Sequence, residues 1–333
     1  MSSATIKDIA KRLNLSMSTV SRALRGHPDI NEETKNLIIK TAAELDYQPN
    51  LFAQNLKNRR SSTIGVIVPQ VKHVFFAEIM AGITEVAYHA GFHVIISQSN
   101  ETYEREVINT QMMISQRIAG LLVSLSIQTE RFDHLAALKR RGIPIVCFDR
   151  ICDNLPFSKV VVDDYQGAYL AVEHLIHRGR RRIAHFAGPP NLSIGKYRFN
   201  GYRDALLQHQ IAFDPDLVIY GGLNEEDGVR DFECLLDKQL KPDAIFCITD
   251  PVAIGAFAQL KKNNWKIPRD VALVGFSDNP IDALLEPSLT TVRQPAHEMG
   301  ETAARLLLEH IHDKQKPVES IVLQTELIIR QSS

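Results

Sequence analysis

Four apolar runs in this chain end in carboxylates. Val146-Cys147-Phe148 is followed by Asp149-Arg150 and Val160-Val161-Val162 by Asp163-Asp164; Phe246-Cys247-Ile248-Thr249 is followed by Asp250, and Val274-Gly275-Phe276 by Ser277-Asp278. Ser124 closes a further run, Gly120–Val123. Carboxylates accept hydrogen bonds from hydroxyl groups, so such a set suits a hydroxyl-rich ligand. An Asp in a turn also serves as a local cap; each one alone carries either reading, and only the set points to a site. Arg198, in Tyr197-Arg198-Phe199-Asn200-Gly201-Tyr202, opens a helix after the Gly188-Pro189-Pro190 loop. Its guanidinium fork suits either paired ligand oxygens or a surface ion pair. After the run Ile64–Val68, the loop containing His73-Val74-Phe75-Phe76 would set Phe75 over a ligand, ring face against sugar C–H groups, with Phe76 turned to the core.

A second kind of chemistry lies near the N-terminus. Thr5 can cap a helix, with Asp8 as an imperfect capping-box partner, and Ile6, Ile9, Ala10 and Leu13 share one stripe. Asn14-Leu15 ends that helix and Ser16 caps the next, which turns Val20, Ala23 and Leu24 inward. Met17, Ser18, Ser21, Arg22 and Arg25 then face outward. Two short helices joined by a tight turn, the second showing small polar groups and arginine, fit a helix-turn-helix. Arg22 could donate two hydrogen bonds to a guanine edge in the major groove. A third helix starts at Asn31, carries Glu32 and Glu33 at its positive end and packs with Leu37, Ile38, Ala42 and Leu45. After Pro49, residues 50–57 suit about two helical turns, too few to be stable alone in water. A second copy of the segment is the economical partner, and Leu56 serves either that contact or as a wedge in a minor-groove base step.

The elements that must position the strand-end residues are legible as alternation. Buried parallel strands are expected at Ile64–Val68, Val94–Ser97, Gly120–Val123, Ile143–Phe148 and Val160–Val162, with helices at Phe76–His89, Glu104–Arg117 and Phe132–Arg141. A second set has strands near Ile183–Phe186, Leu217–Ile219, Ala244–Ile248 and Val271–Phe276. Its helices are near Tyr165–His177, Phe199–His209, Val229–Leu236 and Val252–Lys262, with a last helix at Ala296–Ile311 and a strand within Ile321–Ile329. Alternation of this kind predicts two doubly wound α/β lobes, whose ligand site lies at the carboxyl ends of the strands.

Composition agrees. Residues 1–60 hold ten Lys/Arg and six Asp/Glu, a net of +4, while the remainder, with 28 basic and 33 acidic residues, nets −5. A basic head on an acidic body is expected where only the head meets phosphate. The basic linker 57–62 either touches phosphates or solvates a domain boundary. The four cysteines show no metal spacing and read as buried thiols in a reducing compartment. The twelve histidines read as scattered, so no metal and no cofactor are expected. With no leader-like N-terminal run and no apolar stretch long enough for a bilayer, a cytoplasmic protein is expected, with no membrane partner.

Thr19-Val20-Ser21-Arg22 after Asp8-Ile9-Ala10, then Tyr47-x-Pro49-Asn50-x-x-Ala53-x-x-Leu56 and Ile64-Gly65-Val66-Ile67-Val68-Pro69, resembles the lactose-repressor/galactose-repressor (LacI/GalR) family of bacterial transcription regulators. The resemblance spans essentially the whole chain and is most specific in its first sixty residues. It implies an α/β protein with an all-α helix-turn-helix domain at 1–48, a hinge helix and linker at 49–60, and an effector-binding and dimerisation core at 61–333. That core would be of the periplasmic-binding-protein type, with one lobe about 61–161 plus 291–320 and the other about 162–290 plus 321–333. It implies a homodimer on pseudo-palindromic operator DNA, with Met17, Ser18 and Arg22 reading bases and Leu56 as hinge wedge. The set assigned to DNA is Thr5, Ser16, Met17, Ser18, Thr19, Ser21 and Arg22, with Asn50, Ala53, Leu56 and Lys57 of the hinge. The set assigned to the effector, a carbohydrate or related small polyol, is His73, Phe75, Ser124, Asp149, Arg150, Arg198, Asp250 and Asp278, with Arg198 carried over from the family's ligand-binding arginine. The chain departs from the family pattern at His73-Val74, where Asn-Pro is usual, and at Ser277, where Asp is frequent.

The expected function is a ligand-responsive transcriptional regulator, most simply a repressor, and not an enzyme. An α/β enzyme acting on sugars or phosphoesters is the first rival, but no GxGxxG, GxxxxGK[ST] or GxSxG is present. Gly221-Gly222 precedes an acidic stretch, poor company for a phosphate. A solute-binding receptor is the second rival, and the basic head argues against it.

Overall fold

The computed structural model describes residues 4–24, 26–47, 61–153 and 155–333, and contacts divide the chain into one unit ending at Ser61 and another beginning at Ser62. The first unit contains α1 (Ile6–Leu13), α2 (Met17–Leu24) and α3 (Glu32–Glu44). Thr5 and Asp8 form the reciprocal box, the Asp8 carboxylate accepting from the Thr5 N–H at 2.8 Å. Asn14 ends α1 in the left-handed region (φ 50°), which asparagine tolerates. Asn31 caps α3 by accepting the Thr34 N–H at 2.8 Å. Ile9, Ala10, Val20, Ala23, Ile38 and Ala42 make the core of this unit. Leu37 does not join them: it is 51% exposed. The inward face of α3 is Ile38, Thr41, Ala42 and Leu45, a spacing of three, four and seven residues that turns position 37 to the rim.

The second unit begins with β1 (Thr63–Val68), α4 (Val74–His89), β2 (His93–Gln98), α5 (Tyr103–Ser115), β3 (Gly120–Val123), α6 (Asp133–Arg140), β4 (Ile145–Phe148) and β5 (Ser158–Val162). The chain then passes into α7 (Asp164–His177), β6 (Ile183–Phe186), α8 (Ser193–Gln208), β7 (Val218–Ile219), α9 (Glu225–Asp237), β8 (Ala244–Cys247), α10 (Asp250–Lys262) and β9 (Ala272–Ser277). It closes with β10 (Thr290–Arg293), α11 (Ala296–His312), β11 (Ser320–Leu323) and β12 (Glu326–Ile328). The strands form two six-stranded sheets, β11-β5-β4-β3-β1-β2 and β12-β10-β9-β8-β6-β7, parallel except where β12 runs against β10. Apolar residues cover both faces of each sheet, which is why the central strands read as continuous apolar runs.

Two crossings differ from expectation. β10 pairs with β9 through Arg293, so the second crossing falls after 293 and not near 290. The run Ile321–Ile329 splits, β11 joining the first sheet beside β5 and β12 the second beside β10. Helices pair across glycines. A Cβ on Gly82 would lie 2.2 Å from the His297 carbonyl oxygen and one on Gly300 2.1 Å from that of Ile79, so α4 and α11 touch backbone to backbone. Gly228 and Gly255 do the same for α9 and α10, and Gly201 brings α8 onto the Tyr165 carbonyl of α7.

Candidate functional site

In the first unit, α2 presents its polar face outward. The Ser16 hydroxyl accepts the Thr19 N–H at 3.0 Å and lies 2.7 Å from the Ser18 hydroxyl and 2.9 Å from that of Thr19. Ser16 is therefore the cap that starts the helix. Met17, Ser18 and Arg22 are exposed, Thr19 and Ser21 half-exposed, and Thr5 sits exposed at the start of α1. Arg25, Asn50, Ala53, Leu56 and Lys57 lie outside the described residues.

In the second unit, strand ends of both sheets converge on a cleft. One wall carries His73, Phe75, Phe76, Asp149 and Arg150; the other carries Arg198, Thr249, Ser277, Asn279 and Gln294, backed by Ile194, Leu223 and Pro251. Asp149 follows β4 in the left-handed region (φ 58°), which Asp adopts more readily than most residues. It is 5% exposed, and its Oδ2 accepts from the Ser124 hydroxyl at 3.3 Å. Burial pushes its carboxyl up to about 6 against the opposing pull of Arg150 and Arg198.

Both arginines are already paired. Arg150 donates from Nη1 to the two Glu101 oxygens at 2.8 and 2.9 Å, and its guanidinium stands 5.7 Å from the centre of the Phe76 ring. Arg198, 1% exposed, donates from Nε to Asp164 at 2.8 Å, has Nη2 2.7 Å from the same oxygen, and donates from Nη1 to the Ile248 carbonyl. The plane lies 3.6 Å from the centre of the Phe276 ring. Burial raises the Asp164 carboxyl, and the Arg198 charge opposes that shift. Arg198 does not open its helix: α8 starts at Ser193, five residues earlier, so the arginine sits in a buried second turn. Gly195 had masked that start, since an early glycine reads as loop; here a Cβ at 195 would lie 2.2 Å from the Pro189 carbonyl oxygen.

The lobes are bridged on both sides of the cleft. His73 Nε2 lies 3.0 Å from the side-chain oxygens of Gln70 and of Asn224 across the gap. Two oxygens facing one nitrogen favour the tautomer with its proton on Nε2. Burial lowers the His73 pKa, keeping the ring neutral. Elsewhere Ile151 N–H donates to Ser193 Oγ at 3.1 Å, Asn191 to the Ile127 carbonyl at 2.6 Å, and Tyr197 to Asp153 at 2.8 Å.

Three residues assigned to the ligand do not reach the wall. Ser124 is fully buried behind Asp149. Asp250, also fully buried, accepts from Thr291 Oγ1 at 2.6 Å and from the Asn279 N–H at 3.1 Å. Beside it Asp282 is pushed up to about 9 by burial and by the Asp250 charge, and both its oxygens are buried with no hydrogen-bond partner among the described residues. Asp278 adopts φ 63° and turns to Arg330 at 2.6 Å and Arg293 at 2.7 Å, leaving its neighbours Ser277 and Asn279 on the wall.

Gln294, Thr249 and Asn279 escaped the sequence reading, and Phe76, packed in the core, also shows on the wall. Gln294 directly follows β10, so the strand-end rule would have found it had that strand been recognised. Its Nε2 is buried with no hydrogen-bond partner among the described residues. The histidines are not all scattered either: Glu173, His177 and His209 converge, as do Glu85, His297 and Glu301. The cysteines are free, with Cys147 and Cys247 buried. No helix among the described residues is long and apolar enough to cross a membrane.

Comparison with known proteins places this geometry. Residues 5–50 match the family described as bacterial regulatory proteins, lacI family, and residues 172–333 match a periplasmic binding protein-like domain. The chain is 34% identical to the HTH-type transcriptional repressor CytR of Escherichia coli, over 99% of this chain and 96% of that protein. It is 31% identical to the ribose operon repressor of Haemophilus influenzae, over 99% and 98%. The solved complex of the transcriptional regulator CelR with cellobiose matches with a TM-score of 0.77 at 29% identity, covering 99% of this chain and 100% of that one.

Proposed function

The chain belongs to the lacI family of bacterial regulatory proteins, a family of transcription regulators and not of enzymes, and from that premise we propose that its effector is a small neutral polyol, most simply a sugar. The observation that carries this reading is the pairing of both cleft arginines. Glu101 and Asp164 neutralise Arg150 and Arg198 before any ligand arrives. Asp149 adds a further carboxylate, so the wall offers directed N–H donors and acceptors without the surplus positive charge that a phosphate would require. The rings of half-buried Phe75 and buried Phe76 suit C–H surfaces, and the free Gln294 Nε2 suits a hydroxyl. The ribose operon repressor and the CelR–cellobiose complex support a carbohydrate.

The DNA-reading residues are Met17, Ser18 and Arg22, with Thr5, Ser16, Thr19 and Ser21 holding the helix and touching phosphates, and Asn50, Ala53, Leu56 and Lys57 acting in the hinge at 49–60. The active form is a homodimer on a two-fold symmetric operator in the cytoplasm, acting as a repressor. Sugar closes the cleft and changes how the two first lobes meet, so effector and operator affinities are reciprocally coupled. A footprint upstream of its own gene, with and without a panel of sugars and sugar phosphates, tests this. A two-fold symmetric protected site altered by a neutral sugar is expected; a response to phosphorylated compounds alone would overturn the neutral-polyol reading.

A further inference from the structure

At the far end of α7 and α8 from the cleft lies a group of side chains that the regulatory reading does not use. Glu173 and His177 stand one turn apart on α7, and His209 caps the C-terminus of α8. Their ligand atoms all lie within 4.8 Å of one another. Glu173 Oε1 is 3.2 Å from His209 Nε2, and the His177 ring meets the His209 ring edge to face, with centroids 5.3 Å apart.

We propose that Glu173, His177 and His209 form a binding site for a late first-row divalent cation, Zn²⁺ above all, clamping the C-terminal ends of α7 and α8. Two imidazoles and one carboxylate are a donor set zinc takes with water completing the tetrahedron. Metal–ligand bonds of about 2.0–2.1 Å put tetrahedral donor atoms roughly 3.4 Å apart, so the three atoms must close by about 1.4 Å at most. Side chains with exposure of about a quarter (Glu173 and His209) or more (His177) can do this by rotamer adjustment. The partial negative charge of two helix C-termini adds to the attraction for a cation. A Glu173–His209 ion pair alone would leave no role for His177, whose ring is held against the pair. The clamp acts on the helices that carry Asp164 and Arg198 at the cleft, so it ties the arginine's support to a metal.

The competing donor group, Glu85, His297 and Glu301 between α4 and α11, has only one imidazole and serves as the control. The test uses the full chain, stripped with chelator and then titrated with Zn²⁺ against a chromophoric competitor, with Co²⁺ as the spectroscopic probe. One Zn²⁺ per chain is expected, with Co²⁺ bands that lack a thiolate charge-transfer feature. H177Q and H209Q should each weaken binding by at least about tenfold, the size of loss that even outer-partner changes produce, while H297Q leaves it unchanged. All three variants should match the parent in thermal unfolding in metal-free buffer, since none of these histidines is buried. Binding that survives H177Q and H209Q, follows H297Q or shows thiolate bands would overturn the proposal, as would no binding at all.

Discussion

The two walls of the cleft use their carboxylates in opposite ways. On the wall built from the first sheet, Asp149 keeps one oxygen on Ser124 and turns the group to the cavity. On the wall built from the second, Asp250 spends both oxygens on Thr291 and Asn279, and Asp278 is held by two arginines. All three residues follow an apolar strand, so position in the sequence does not separate them. What separates them is the number of donors within reach in the fold. A buried carboxylate with a donor on each oxygen is held as scaffold, and one with an oxygen left over is free to meet a ligand. The second wall instead lines the cavity with the neutral amides and hydroxyls of Ser277, Asn279, Thr249 and Gln294 beside Arg198.

The largest effect should come from removing scaffold. Asp250→Ala abandons the buried Thr291 hydroxyl and the half-buried Asn279 N–H, at roughly 1–3 kcal/mol for each unsatisfied group. The urea midpoint should drop by the equivalent of about 3 kcal/mol with an unchanged slope. Unaltered stability with lost effector binding would make Asp250 a ligand group and erase the contrast between the walls.

Asp149→Asn should do the reverse: effector affinity falls by about tenfold, or ~1.4 kcal/mol, and stability does not fall. Sign follows from the pKa. The folded value, about 6, lies above the ordinary 3.8, so the folded state holds more protons between those pH values and stability contributed by this group declines as pH rises through that window. Ligand affinity runs the other way, because a charged carboxylate accepts a hydroxyl hydrogen bond more strongly than a neutral one. Effector affinity in the parent should therefore fall as pH drops through about 6, and the Asn variant should lose that inflection in a calorimetric titration series.

The contrast also explains what could be read from the chain alone. Strand and helix positions were legible because both sheets are buried on two faces, which leaves unbroken apolar runs between amphipathic ones. The first wall was legible for the same reason: Asp149 and Arg150 follow a strand whose run is intact. The second wall was less so. β10, Thr290–Arg293, carries two threonines and an arginine and does not look like a strand, yet it places Gln294. The turn of Asp278 away from the cleft depends on Arg330, fifty-two residues downstream, and no local pattern encodes such a pairing. In the head, single-turn phase errors such as Leu37 arise because Leu37, Ile38 and Ile39 are all apolar and only packing selects among them.

Gln294→Ala isolates a neutral contact of the second wall. The amide Nε2 is buried with no partner among the described residues, and its oxygen holds only the Ser277 hydroxyl at 3.3 Å, so stability should change by less than about 0.5 kcal/mol. Effector affinity should fall severalfold, about 1 kcal/mol for one hydrogen bond, measured by isothermal titration. An unchanged affinity would mean that this wall contributes shape and the first wall the polar recognition.

Asp278→Asn should be the quietest change at the ligand and is for that reason the sharpest test of the comparison. Asparagine tolerates the left-handed backbone that Asp278 adopts, φ 63°, so the substitution removes charge without disturbing the turn. Of the two ion pairs it weakens, the one to Arg293, 48% exposed, contributes up to about 1 kcal/mol, and the amide oxygen still accepts from the less exposed Arg330. A fall in melting temperature of a few degrees, smaller in high salt, is expected, with effector affinity within twofold of the parent. If affinity instead drops tenfold while stability holds, Asp278 must swing from its arginines to the ligand when the cleft is occupied. The two walls would then share one mode of recognition, and the arginine pairing of Asp278 would be the resting position of a switch, with Arg293 and Arg330 released on binding.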